Sequence, residues 1–282
     1  MNLEVLYEDQ DILVINKPSG LVVNRATTVK ESTVQDWFVQ YLGEQFFQDE
    51  FWQKDSSFQD LIPANFSSEF GEPLDIWRER LGIVHRLDKD TSGVLLLAKN
   101  PGSLLHLLAQ FKKRETKKTY ASLVHGKFAE KTGHIVAPMG RSIHNRLRFV
   151  VDSAGRPAIT DYKVEREFSG LQEDLAIKIG KESRFKVKKV KELYQAGFSL
   201  LKLEPKTGRT HQIRVHMSAM QHPLVGDQIY AGKKRVKLDA FWCKRQFLHA
   251  LSLEFIHPRT GKQVLFEAPL AEDLEKVLKL LI

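Results

Sequence analysis

The chain reads as an α+β protein, and three observations lead there. Strand signals follow one another in runs, and helical periods come after several strands, not after each one. No internal repeat or low-complexity linker interrupts the 282 residues. A doubly wound parallel sheet needs the opposite alternation. At 42% hydrophobic the length allows one large domain or two modest ones, each with its own core.

Glu4–Glu8 and Asp11–Asn16 are short alternating or apolar runs on either side of an EDQD turn, and a KPSG turn leads into Leu21–Asn24. Ser32 or Thr33 can cap a helix through Val34, Trp37, Phe38 and Tyr41, whose spacing is helical. Residues 44–75 are acidic and aromatic with no clean period; they read as an insertion, helical in part, that packs its Phe and Trp residues. Gly93–Ala98 is a buried strand. Pro101 starts a helix through Leu104, Leu105, Leu108 and Phe111 that ends on lysines, with proline and cations at the ends that suit each. Strands are expected at Lys118–His125, Arg148–Val151, Ala158–Glu165, Ser183–Lys191 and Gly197–Glu204, the last two as a hairpin with one basic face. A helix from about Thr210 to Gln221, strands at Phe247–Phe255 and Gln263–Glu267, and a helix from Glu272 complete the chain.

Charge is unevenly spread. Residues 1–80 hold 6 Lys/Arg against 15 Asp/Glu, a net of −9, so the rest carries +17 to give the total of +8. The basic clusters are Lys112-Lys113-Arg114 with Lys117-Lys118, Arg141 with Arg146 and Arg148, Lys178 to Lys191, and Lys233-Lys234-Arg235 with Lys237. Several such patches interleaved with Phe, Tyr and His suit a nucleic-acid backbone better than ordinary solvated faces. No run of about 18 apolar residues and no signal-peptide layout occur, so a soluble, cytoplasmic chain is expected. The single cysteine, Cys243, excludes an intramolecular disulfide and reads as a small buried residue.

Unusual polar residues concentrate in three places: the stretch GIVHRLDKDTSGVLLLAK from residue 82, the strand around Tyr120, and Thr207 to His216. In the last, Gly208 allows a tight turn and Thr210 a helix cap, which would set His211 and Arg214 one turn apart on one face. A cation there needs a carboxylate, and Asp88 is the candidate. The familiar catalytic sets are missing: His211 and His216 lack zincin spacing, and there is no phosphate-binding glycine loop and no GxSxG elbow. Asp88-Lys89-Asp90-Thr91 matches the DxDxT of a magnesium-dependent haloacid-dehalogenase-type phosphatase, but His85-Arg86 interrupts the apolar run that should lead into it.

Taken together and in order, HRLDKDTSGVLLLAK, KKTYASLVHG, TGRTHQIRVHMSAMQHPLVGDQIY and FLHALSLEFIHP, with the N-terminal YEDQDILVINKPSGLVV, resemble the RluA-type pseudouridine synthases. Only residues about 44–78 and 168–192 fall outside the likeness; they are expected to be insertions in a single catalytic domain of two subdomains, and the S4-type domain of many relatives is not expected. The resemblance implies a large curved, mainly antiparallel mixed sheet flanked by helices around a central cleft. It also implies an isomerase of uridine in ribosomal or transfer RNA, working without cofactor, ATP or metal, and expected to be monomeric with no DNA or membrane partner.

Such an enzyme breaks the N1–C1′ bond, turns the uracil in its pocket and joins C5 to C1′. By the resemblance, Asp88 is the catalytic carboxylate, attacking C1′ or C6 or drawing a proton from C2′. Arg214 pairs with it, Tyr120 lies against the ring and assists proton removal from C5, and Leu248 covers the other face of the base. Arg86 fills the space of the flipped base, which costs a few kcal/mol to extrude. His85, Arg209 and His211 are expected on the substrate side, His85 through a turn-stabilising hydrogen bond. Lys186, Lys188 and Lys189 on the basic hairpin are expected to bind RNA, and Thr91-Ser92-Gly93 to hold the Asp88 loop. A non-catalytic RNA-binding protein on the same scaffold is the alternative.

Overall fold

The computed structural model describes residues 1–27, 29–64, 66, 71–145 and 148–282. In chain order the elements are β1 (Glu4–Glu8), β2 (Ile12–Lys17), α1 (Val34–Leu42), α2 (Asp49–Lys54), α3 (Pro73–Arg80), β3 (Ser92–Ala98), α4 (Pro101–Lys113), β4 (Lys117–His125), β5 (Thr132–Val136), β6 (Met139–Arg141) and β7 (Phe149–Val151). There follow β8 (Ile159–Phe168), α5 (Glu173–Glu182), α6 (Val187–Tyr194), β9 (Phe198–Pro205), α7 (Gln212–Ala219), α8 (Lys233–Asp239), β10 (Leu248–Ile256), β11 (Gln263–Glu267) and α9 (Glu272–Leu278). The class is α+β, a large mixed sheet flanked by helices. Among the described residues no helix is long and apolar enough to cross a membrane. Two compact units are present, residues 1–117 with 252–269, and residues 118–251 with 270–282.

In the first unit the hydrogen-bonded order is β1-β2-β3-β10, with β11 added to β10. Strands β2 and β3 run antiparallel from Ile12 opposite Ala98 to Lys17 opposite Gly93, and every β3 residue is buried. That explains why SGVLLLA shows no alternation: both faces are covered. Helix α4 begins where the sequence predicts, with Pro101 in its first turn and Asn100 accepting from the Ser103 N–H. Thr33 caps α1 in a full capping box with Asp36. The run Leu21–Asn24 forms no strand, because the carbonyls of Val22 and Val23 accept from the amides of Val34 and Gln35 in the first turn of α1.

The acidic, aromatic segment from residue 44 forms short helical turns and α2; Asn65 and residues 67–70 of it lie outside the described residues. Its aromatic residues pack among themselves and on α3. Phe47 stacks on Trp77 at 5.2 Å, Trp52 meets Trp77 edge-on at 5.9 Å, and both indole N–H groups donate to the Phe46 carbonyl.

In the second unit the order is β10-β4-β9-β8-β5, and β6 and β7 pair as a small separate sheet. One core cluster joins Leu123, Phe198, Val190, Tyr194, Leu238 and Trp242. The expected hairpin of Ser183–Lys191 with β9 does not form. Residues 173–194 are instead the helix pair α5 and α6. Val187, Val190 and Tyr194 recur at helical spacing, and the last two are buried. The apparent alternation of Phe185 and Val187 was the weaker of two periods.

Candidate active site

The first unit holds His85, Arg86 and Asp88. Leu87 is buried and anchors the segment, leaving Arg86 exposed and Asp88 half-buried. The Thr91 amide closes a turn on the Asp88 carbonyl at 3.0 Å before β3 begins. Gly93, at φ +112, takes a backbone conformation that side chains disfavour, and Thr91 and Ser92 are buried beside it. His85 accepts the Leu96 N–H at Nε2, 3.1 Å, and its ring stacks on Phe111 at 4.8 Å. The imidazole therefore does tie the loop to β3 and α4.

A residue without an assigned role in the sequence completes the loop. Lys17 is fully buried, and its Nζ donates to the carbonyls of Pro18 (2.7 Å), Leu21 (2.9 Å) and Lys89 (3.0 Å). Three N–H donors meet three carbonyls, which is what a buried ammonium needs. The Lys89 carbonyl also accepts from the Gly20 amide at 2.9 Å, so the KPSG turn grips the peptide immediately after Asp88.

The second unit holds Tyr120, Arg209, His211, Arg214 and Leu248. Tyr120, on β4 opposite Leu203, and Leu248, at the start of β10, belong to one apolar cluster with Ile213 and Met217 of α7. Thr210 does not cap α7. The N-cap is His211, at φ +58, without a side-chain capping bond. The orphan polar groups are gathered by Gln212: its Oε1 accepts from the Arg209 amide (3.0 Å) and the Thr207 hydroxyl (2.7 Å), and its Nε2 donates to the Ile159 carbonyl (2.8 Å) and Thr160 Oγ1 (2.9 Å). Arg209 donates from Nε to the Pro157 carbonyl at 3.2 Å.

His211, in a left-handed conformation at the N-cap, stands three residues before Arg214 at the start of α7, and the two meet through Tyr230. The Arg214 guanidinium lies 5.1 Å from the Tyr230 ring centroid and Arg148 lies 5.3 Å from it. The Tyr230 hydroxyl accepts from the Phe149 amide at 3.0 Å, which leaves its own proton for Nδ1 of His211, 3.0 Å away. Burial raises the Tyr230 pKa above the ordinary phenol value and keeps that proton in place. Arg146, grouped with Arg141 and Arg148 in the sequence, lies outside the described residues.

Arg214 is 4% exposed and Asp227 not at all. Nε donates to Oδ2 at 2.7 Å and Nη2 to Oδ1 at 2.9 Å, a bidentate clamp. Asp227 also accepts the amides of Ile229 (2.8 Å) and Tyr230 (3.0 Å). The signal for it was available: a lone aspartate after glycine in the apolar run HPLVGDQIYAG has to be paired if it is buried. Gly226, at φ +73, has no room for a Cβ, which would lie 2.0 Å from the Arg245 carbonyl oxygen. Its amide donates to Oδ2 of Asp239 at 3.0 Å, and the same fully buried carboxylate accepts from the Tyr194 hydroxyl (2.8 Å) and pairs with His125 (2.9 Å).

The remaining expectations fall as follows. Lys186 precedes α6, where Lys188 and Lys189 are exposed and Lys189 is paired with Glu192 at 2.9 Å. Cys243 is buried, with its thiol pKa pushed up to about 12, chiefly by desolvation. Asp9, Asp11 and His257 approach metal-ligand spacing, yet their atoms are engaged: His257 with Asp9 at 2.8 Å, and Asp11 with Arg259 at 2.6 and 2.9 Å and Asn100 at 2.9 Å.

Residues 11–219 match the family model described as RNA pseudouridylate synthase. An uncharacterized RNA pseudouridine synthase of Bacillus subtilis is 34% identical, over 99% of this chain and 73% of its own length. The ribosomal large subunit pseudouridine synthase D of Zymomonas mobilis is 33% identical over the same shares. Among solved structures, human RNA pseudouridylate synthase domain containing 4 matches 98% of this chain and 92% of its own with TM-score 0.62 and 18% identity, a likeness of fold. On the family model and the identity that runs through nearly the whole chain, this protein belongs to the RNA pseudouridylate synthase family and is an isomerase of uridine in RNA.

Proposed function

We propose that the chain converts uridine in ribosomal RNA to pseudouridine, with Asp88 as the reactive carboxylate. The ribosomal target is supported by the printed name of the Zymomonas mobilis relative. What carries the assignment of roles is the Arg214 clamp. A guanidinium with two donors locked on a buried carboxylate and one face on Tyr230 has a fixed aim, which a group meant to orient a reactive carboxylate requires.

In this reading Arg86, exposed beside the anchoring Leu87, replaces the extruded base, its planar guanidinium filling the gap in the stack. Asp88 adds to the nucleotide at C1′ or C6, or takes the C2′ proton. Once the N1–C1′ bond is broken, the uracil turns between Tyr120 and Leu248. C5 joins C1′, and the C5 proton leaves with the help of the Tyr120 hydroxyl. The apolar cluster around Ile213 and Leu248 keeps water from the reacting face. Lys186 and Lys188, exposed by α6, add attraction for the RNA backbone.

The deciding experiment is Asp88→Asn with a ribosomal RNA transcript labelled with tritium at uridine C5. Tritium release is expected to vanish while RNA binding stays within a few-fold of the original. Turnover by that variant at the unaltered rate would overturn the assignment. Release by the unaltered enzyme is expected to persist in EDTA, as a metal-dependent phosphatase activity would not.

A further inference from the structure

Helix α8, KKRVKLD, is bound into the Arg214 clamp at both ends. Its chain runs directly on from Asp227 and Tyr230, and its last residue, Asp239, accepts the amide of Gly226, the residue before Asp227, at 3.0 Å. Residues 226–239 thus form a segment closed at its neck. Its inner side is anchored by buried Leu238, with Trp242 and Cys243 following in the same cluster. Its outer side presents Lys233, Lys234 and Lys237, and Lys244 follows; all four are exposed. Among the described residues none of these four is ion-paired, whereas at α6 only Lys186 and Lys188 are unpaired, Lys189 being paired with Glu192 and Lys191 with Glu173. Paired lysines have to give up a carboxylate to take a phosphate; unpaired ones exchange only solvent and counterions.

We propose that α8 is the docking surface for the RNA backbone, through Lys233, Lys234 and Lys237 with Lys244 beside them, on the segment whose Asp227 holds Arg214. This rests on the RNA-modifying function proposed above. The partner is committed by charge: a phosphate backbone meets cations that no protein carboxylate neutralises.

The test is Lys233→Gln/Lys234→Gln/Lys237→Gln, with Lys189→Gln/Lys191→Gln on α6 and a triple Lys→Arg variant at 233, 234 and 237 as comparators. Binding to a ribosomal RNA transcript is measured without turnover, across salt. Each lost phosphate contact lowers the log–log salt slope by about 0.7 to 0.9, so the α8 glutamine variant is expected to lose about 2.1 to 2.7 from the slope. Its affinity deficit would then shrink about 18- to 42-fold between 50 and 200 mM salt. The α6 variant is expected to lose less than half as much, and the arginine variant to keep the original slope. KM is expected to rise with kcat unchanged at saturating RNA. A slope equal to that of the unaltered protein would overturn the inference, as would equal losses from α6 and α8. Absence of tritium release from the unaltered enzyme would instead overturn the proposed function, which the binding data do not depend on.

Discussion

Replacing Asp227 by asparagine tests whether the aim of Arg214 is set by its clamp. The carboxylate is fully buried and accepts four hydrogen bonds, two from the Arg214 guanidinium and two from the amides of Ile229 and Tyr230. Asparagine keeps one oxygen for the amides and Nη2, but turns an NH2 group toward Nε of Arg214, donor against donor. The guanidinium keeps its charge, loses the counter-charge of Asp227, and cannot reach bulk water at 4% exposure. Breaking a buried pair from one side costs about 3–5 kcal/mol, less than the roughly 5–15 kcal/mol that holds a typical domain together. The variant should therefore fold at 25 °C with a clearly lower urea midpoint. A displacement of Arg214 by about 1 Å lowers the rate about 100-fold, and because the bond from the Gly226 amide to Asp239 that holds α8 does not involve the Asp227 side chain, the loss should appear in kcat, with KM changed little. Tritium release under saturating RNA, well below the unfolding midpoint, measures it. A kcat within threefold of the original, in a variant whose stability has fallen as calculated, would refute the claim that the clamp sets the aim.

Two further outcomes follow from buried polar groups. Lys17→Met leaves the Pro18 and Leu21 carbonyls without their ammonium donor, at about 1–3 kcal/mol each. It should lower both unfolding free energy and kcat through the Asp88 loop, and kcat unchanged in the folded variant would show that the loop holds itself. His216, fully buried, accepts from Thr160 at Nδ1 and donates to the Ala137 carbonyl from Nε2, and burial lowers its pKa below the usual 6.5. With the folded pKa depressed, its contribution is present above about pH 6.5 and declines as pH falls, because the unfolded chain takes up the proton first. The slope is at most about 1.4 kcal/mol per pH unit. Unfolding midpoints between pH 7.5 and 5 should fall less steeply in His216→Gln than in the original; parallel profiles would refute the assignment.

Much of the local structure was legible because it depends on neighbours in the chain. Ser32 or Thr33 marked the start of α1, Pro101 and the terminal lysines bracketed α4, and Gly93–Ala98 read as a buried strand. Where two periods competed, local reading failed. FKVKKVKELY alternates like a strand over its first residues, but Val187, Val190 and Tyr194 keep the helical spacing, and burial of Val190 and Tyr194 decides for α6. Thr210 looked like a cap by residue type, but the left-handed His211 shifts the helix start, and Gln212 takes the cap's work through contacts to Ile159 and Thr160 far back in the chain.

By itself the sequence determined the family, the α+β class and the candidates Asp88, Arg86, Tyr120, Arg214 and Leu248, because these are carried by residue type and order in short segments. Only the tertiary structure decided what holds them. Lys17 reaches the carbonyl of Lys89 across 72 positions, and Asp239 closes the neck of the Asp227 loop while binding Tyr194 and His125 from other elements. The physical reason is that a buried charge takes whichever partners the folded backbone brings within about 3 Å, and that proximity is set by strand register and helix packing, not by spacing along the chain.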